Sequence, residues 1–60
     1  MPDLARAARD ALPLFDAAIR ADPTFVDALY NRGTLREELG DPERAAADYE
    51  ATLALSLIHI

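Results

Sequence analysis

The side chains that carry out enzymatic chemistry are almost absent from this chain. Its 60 residues contain no cysteine and a single histidine, His59, so the thiolate and multi-histidine ligand sets of zinc sites are excluded. Ser56 is the one serine, and the two glycines, Gly33 and Gly40, stand apart and form no glycine-rich phosphate loop. The carboxylates follow helical faces, where we expect most of them to be solvated. The sequence therefore predicts no catalytic site, no metal and no cofactor.

The charge balance argues against two further kinds of partner. Eleven acidic residues outweigh six basic ones, which gives a net charge of −5. Nucleic acids and anionic membrane surfaces both attract basic patches, so neither is an expected partner. No apolar stretch is long enough to span a bilayer, and no secretory signal is visible. We therefore expect a cytoplasmic protein, and the use of arginine without lysine indicates a GC-rich, bacterial genome.

The chain is rich in residues that favour helices, with thirteen alanines and nine leucines. Apolar residues at steps of three and four predict a first helix over 4–21. Pro13 interrupts this stripe, and a proline inside a helix removes a hydrogen bond and bends the axis. We nevertheless expect one helix through the whole stretch, ended by Asp22 and Pro23.

Two further helices follow, and capping residues mark their ends. The second is predicted over 25–39, because Thr24 with Asp27 three residues later approximates a capping box and Gly40 is a helix stop. The third begins at once, since Asp41 is a good N-cap. The loops are only a few residues long, so consecutive helices are expected to be antiparallel neighbours in an all-α fold.

The chain matches itself after a shift of 34 residues. Small, aromatic, acidic and aliphatic positions coincide in the two copies. The matched pairs are Ala11 with Ala45, Phe15 with Tyr49, Asp16 with Glu50, Ala17 with Ala51, Ala18 with Thr52, and Ile19 with Leu53. A fixed 34-residue period built from two helices is the signature of a tetratricopeptide array.

The stretch FVDALYNRGTLREELGDPERAAADYEATLAL resembles one tetratricopeptide repeat, and the preceding ALPLFDAAIRADP resembles the second helix of the repeat before it. Leu29 and Gly33 fit the family pattern, which implies that neighbouring helices approach closely at the glycine. Arg32 and Arg36 stand where leucine and tyrosine are usual. We expect their stems to cover apolar surface while their charged heads reach water. Leu57 also departs from the pattern, because the family has proline at its position.

The resemblance divides the chain into three segments. Residues 1–24 hold the second helix of a preceding partial repeat, residues 25–54 form one helical hairpin, and residues 55–60 continue the last helix as a tail. The predicted fold is thus a three-helix fragment of an antiparallel helix–turn–helix α-solenoid. A generic three-helix bundle is the alternative.

The tail, LSLIHI, departs from the repeat and resembles the translation of a transposase adapter used in sequencing libraries. On this interpretation residues 55–60 are not native and the chain is a fragment of a longer array. The alternative is a natural apolar helix end. No role is predicted for His59, which lies in this tail.

The family resemblance implies a scaffold for protein–protein interaction. In such arrays the first helix of each repeat lines a concave face that binds ligands. The corresponding residues here are Asp27, Tyr30, Asn31, Thr34, Glu37 and Glu38. Some family members clamp an acidic C-terminus with lysine, arginine and asparagine, but only Asn31 fits that pattern, and Glu37 and Glu38 would repel a carboxylate. The expected partners are therefore a basic or mixed peptide or protein, together with neighbouring repeats.

Two other functions stay open at this point. The repeat would belong to a larger enzyme, such as a glycosyltransferase, whose catalytic domain lies outside these residues. Alternatively, the chain is a small helical oligomeriser, which would sediment as a discrete folded dimer.

Overall fold

The computed structural model describes the backbone of residues 4–58 and the side chains of residues 5–57. Within that range the chain forms three α-helices: α1 (Leu4–Ala21), α2 (Val26–Glu38) and α3 (Pro42–Ile58). The predicted all-α class is confirmed, and α2 is one residue shorter at each end than expected. None of the described helices is long and apolar enough to cross a membrane. His59 lies outside the described residues.

The three helices lie side by side in chain order. Helix α2 packs against both α1 and α3, whereas α1 and α3 do not pack against each other within residues 4–58. The chain is correspondingly elongated, with principal extents of 41 × 22 × 16 Å. In a closed three-helix bundle each helix would contact the other two. The structure is therefore an open row of helices, as in a helical repeat, and not the bundle alternative.

Helix α1 continues through Pro13, as predicted. The proline lacks the N–H that would donate to the carbonyl oxygen of Arg9, one turn earlier. Both residues are exposed, so water is available to that carbonyl oxygen. The helix tolerates the proline because the lost hydrogen bond falls on its solvent side.

The capping box predicted at the start of α2 is wrong. Phe25 occupies the N-cap and makes no side-chain cap. The Thr24 hydroxyl donates to Asp22 Oδ1 at 2.7 Å, and the Thr24 N–H donates to the same oxygen at 3.0 Å. These two hydrogen bonds lower the pKa of Asp22 below its usual value. The Thr24 side chain is therefore bonded within the turn around Pro23 and does not cap α2.

A Schellman turn joins α2 to α3. Gly40 has a φ of 79°, its N–H donates to the Glu37 carbonyl oxygen at 3.0 Å, and the Asp41 N–H donates to that of Arg36 at 2.8 Å. Asp41 Oδ1 then accepts the Arg44 N–H at 3.3 Å, which caps α3. The predicted stop at Gly40 and cap at Asp41 are both confirmed.

Replacing Gly40 by alanine should destabilise the chain by about 1 kcal/mol, because a side chain disfavours the left-handed backbone region. Nothing lies within 4 Å of the added Cβ position, so the cost comes from the backbone alone. Urea denaturation followed by circular dichroism measures it. Gly40→Asn should cost less, because asparagine tolerates this conformation better. An unchanged midpoint for the alanine variant would contradict the prediction.

The buried core is small and consists mostly of alanine. Its apolar members are Ala8, Ala28, Leu29 and Ala45. Several large apolar side chains are exposed instead, namely Leu14, Phe25, Tyr30, Leu53 and Leu57. Because stability follows the apolar area removed from water, we expect the isolated chain to be only marginally stable.

Candidate functional site

A shallow, open groove of about 570 Å³ lies between α2 and α3. Tyr30, Thr34 and Glu37 line it from α2, and Tyr49 and Thr52 line it from α3. The three α2 residues belong to the six that the sequence proposes as a protein-binding face. The groove therefore brings half of that face together with two side chains from the next helix.

Two tyrosines form an aromatic pair in the groove. The ring centroids of Tyr30 and Tyr49 are 5.7 Å apart and their planes are tilted by 49°, which is within the favourable range for aromatic pairs. The Tyr49 hydroxyl donates to Thr34 Oγ1 at 3.4 Å, and the Thr34 hydroxyl donates to the Tyr30 carbonyl oxygen at 3.2 Å. The aromatic pair and the hydroxyl of Thr34 thus hold one another in place.

Gly33 allows the Tyr49 ring to reach the backbone of α2. A Cβ atom added at Gly33 would lie 2.8 Å from Tyr49 Cε1 and 3.1 Å from Tyr49 Cδ1, closer than van der Waals contact permits. Gly33 is itself buried. The close helix approach that the family resemblance implies at this glycine is therefore present, and the aromatic ring fills it.

The groove is acidic in character. Glu37 is the one charged residue among its lining side chains. The hydrogen bond with Thr34 lowers the pKa of Tyr49, but partial burial and the nearby negative charge of Glu37 outweigh it, so this pKa lies above its usual value. Tyr49 is consequently a neutral phenol at physiological pH. The groove offers two aromatic rings, hydroxyl groups and one negative charge.

The other three residues of the predicted face, Asp27, Asn31 and Glu38, are exposed on α2 but do not line the groove. Tyr49 and Thr52 are not predicted as site residues, because the repeat pattern assigns them to packing positions. One sequence signal could have indicated Tyr49 as a site residue. It is an aromatic residue at a position that the family resemblance places close to the helix-contact glycine, Gly33.

A second polar cluster links all three helices. Asp48, whose side chain is only 4% exposed, accepts hydrogen bonds from Arg32 Nη2 at 2.7 Å, Arg32 Nε at 3.0 Å and Arg36 Nη1 at 2.8 Å. Arg32 Nη1 also donates to Asp16 Oδ1 on α1 at 3.0 Å. One guanidinium group on α2 therefore connects a carboxylate on each flanking helix.

The expectation that both arginine heads reach water is wrong. The side chains of Arg32 and Arg36 are 18% and 19% exposed. Both face Asp48, and charge-assisted hydrogen bonds to its carboxylate replace their contacts with water. The hydrogen bond with Asp48 holds the pKa of Arg32 above its usual value. Asp48 is likewise an exception to the expectation that the carboxylates are solvated.

The open row of antiparallel helices, with a groove on the hairpin and a close contact at Gly33, defines a helical-repeat protein. Residues 14–47 match the tetratricopeptide repeat family, and the chain belongs to that family. Repeats of this family serve in general as protein-interaction modules.

Among curated proteins, the chain is similar to an "FK506-binding protein-like" protein of Mus musculus, with 42% identity over 40 residues. The match covers 67% of this chain but only 12% of the mouse protein. No solved structure shows a significant match.

Proposed function

We propose that the chain is a scaffold module that binds a peptide segment of a partner protein in the groove between α2 and α3. The observation that carries this proposal is the convergence of Tyr30, Thr34 and Glu37 with Tyr49 in one open groove. Aromatic rings supply contact area at a low cost in conformational entropy. Hydroxyl and carboxylate groups beside them supply direction, so the groove suits an extended peptide with mixed side chains.

The charges of the groove favour a basic or mixed peptide over an acidic one. Glu37 lines the groove, and Glu38 and Asp27 are exposed on the same helix. A lysine or arginine side chain gains from both a carboxylate and a tyrosine face. An acidic peptide would meet like charges. Asn31, also exposed on α2, adds an amide that both donates and accepts hydrogen bonds.

Reversing the charge of Glu37 and Glu38 to lysine should weaken binding of basic peptides by about tenfold, because attraction becomes repulsion at two positions. The probe is an array of 12-residue peptides of three kinds: arginine-rich, neutral and glutamate-rich. Apart from these charged residues, all peptides have the same amino-acid composition. Fluorescence anisotropy of the selected peptide with the full chain gives the dissociation constants at two salt concentrations.

The matched control is Asp10→Lys with Glu43→Lys, which changes the net charge equally at exposed positions outside the groove. This control should retain most of the affinity. Equal losses in the two double variants would show that net charge alone attracts the peptides. Selection of glutamate-rich peptides would contradict the proposed preference.

We also propose that the repeat acts beside neighbouring repeats in a cytoplasmic, bacterial protein, and that residues 55–60 are not native. The exposed apolar side chains of Leu14 on α1 and Leu53 on α3 support neighbours on both sides of the row.

Because the chain spans 12% of its mouse relative, a role as the repeat region of a larger enzyme is the second candidate. The exposed leucines also favour the third candidate, a small helical oligomeriser.

A further inference from the structure

The contact between α1 and α2 provides a template for a face of α3 that no helix covers within residues 4–58. The 34-residue shift relates three residues of α1 to three residues of α3. The pairs are Leu12 with Ala46, Asp16 with Glu50, and Ile19 with Leu53. On each helix the three residues are spaced four and then three positions apart along the sequence, so they lie on one face of the helix.

The two faces differ in their exposure. Leu12, Asp16 and Ile19 are all half-buried, and α2 is the one helix in the described range that packs against α1. Their counterparts on α3 are all exposed, with Leu53 at 61%. The difference arises because α2 covers the α1 face, whereas the equivalent α3 face has no helix against it in the described range.

Asp16 shows what chemistry this face recognises. Its carboxylate binds Arg32 Nη1 at 3.0 Å while the same guanidinium holds Asp48 through Nε and Nη2. Lysine would not make this arrangement, because a single ammonium group lacks the planar fork that serves two carboxylates at once. Glu50 offers the same charge at the equivalent position, and in the described structure no base is paired with it.

We propose that the face formed by Ala46, Glu50 and Leu53 docks a helix resembling α2, and that Glu50 binds an arginine of this helix as Asp16 binds Arg32. The inference rests on the proposed neighbouring repeats and adds a charge requirement to them. Apolar contact on Leu53 supplies affinity, and the ion pair fixes the register and orientation of the incoming helix. The face is separate from the groove, which Tyr49 and Thr52 line from the same helix.

The test uses the full chain and a labelled synthetic peptide that copies residues 24–41, with its ends acetylated and amidated. Anisotropy should show saturable binding. Glu50→Arg should weaken it about fivefold or more, as expected for a partly exposed ion pair turned into a repulsion. A peptide carrying Arg32→Glu should bind the native chain weakly and regain affinity for the Glu50→Arg chain. Glu50 is exposed, so circular dichroism should show an unchanged fold.

The Glu37→Lys chain is the control for the groove, and it should bind the peptide like the native chain. If Glu37→Lys removes binding while Glu50→Arg does not, the peptide occupies the groove, and the docking proposal falls although the groove proposal stands. Absence of peptide binding, or binding without any rescue by the reversed charge pair, also overturns the docking proposal. None of these outcomes alters the separate measurement on the basic peptide array.

Discussion

Replacing Asp48 by alanine should remove most of the folding free energy of this chain. The substitution leaves the guanidinium groups of Arg32 and Arg36 largely buried without their carboxylate. Breaking a buried ion pair by removing one partner costs about 3–5 kcal/mol, and residual exposure of the arginines places the expected loss near the lower figure. A chain with so small a core has roughly 3–5 kcal/mol in total. Urea denaturation followed by circular dichroism at 25 °C measures this loss.

A triple variant separates the charge effect from a general sensitivity of the site. Arg32→Leu, Arg36→Tyr and Asp48→Leu together replace the cluster by apolar side chains, and such exchanges are often neutral or stabilising by about 1–4 kcal/mol. We expect it to melt at or above the native temperature. Asp10→Ala, at an exposed acid on α1, should change stability by less than about 0.5 kcal/mol. A triple variant as unstable as Asp48→Ala would contradict the charge explanation.

Replacing Gly33 by valine should destabilise the chain by about 2 kcal/mol, because the added side chain overpacks the contact with Tyr49. The Cβ alone would lie 2.8 Å from Tyr49 Cε1. Moving the ring away also separates it from Tyr30 and Thr34, so the groove loses an aromatic wall. Thermal unfolding gives the stability change, and peptide binding should fall in parallel.

A double-mutant cycle assigns this loss to the Tyr49 ring. In a Tyr49→Ala chain the space above Gly33 is free, and Gly33→Val should then be neutral or slightly stabilising, since valine has a higher helix propensity than glycine. Asn31→Val, at an exposed position of the same helix, should cost only a few tenths of a kcal/mol. Equal effects of Gly33→Val in the two backgrounds would mean that the ring is not responsible.

The helices and the turn between α2 and α3 could be predicted because their signals are local. Gly40 supplies a left-handed backbone and Asp41 supplies a cap, and both act on atoms within a few residues. The start of α2 could not be predicted from its cap residues. Thr24 has two acceptable uses for its hydroxyl, and only the geometry of the turn decides that Asp22 receives it.

The ion cluster could not be predicted from the sequence, because its members are far apart along the chain. Arg32 and Arg36 each break the family pattern, and Asp48 looks like one more surface acid. They explain one another only once α3 is placed against α2 and the three side chains meet. An acid on the facing helix compensates for the two arginines that depart from the pattern on α2, and a single sequence shows the departures without showing the contact.

Of the residues that line the groove, the sequence predicted those on α2 but not those on α3. Helical periodicity alone aligns Tyr30, Thr34 and Glu37 on one side of α2. The contribution of Tyr49 depends on how deeply its ring sits against Gly33, which is a property of interhelical packing. The family uses the position of Tyr49 for packing. In this chain the Tyr49 ring packs against Gly33 and also lines the open groove.

The side-by-side order of the helices, in which α1 never contacts α3 in the described range, also governs how the chain assembles and yields to force. Within residues 4–58 every contact between helices joins consecutive ones, so folding requires no long loop to close and should be fast. Because the ion cluster ties all three helices together, we expect a pull on the two ends to unfold the chain in one cooperative step and not helix by helix.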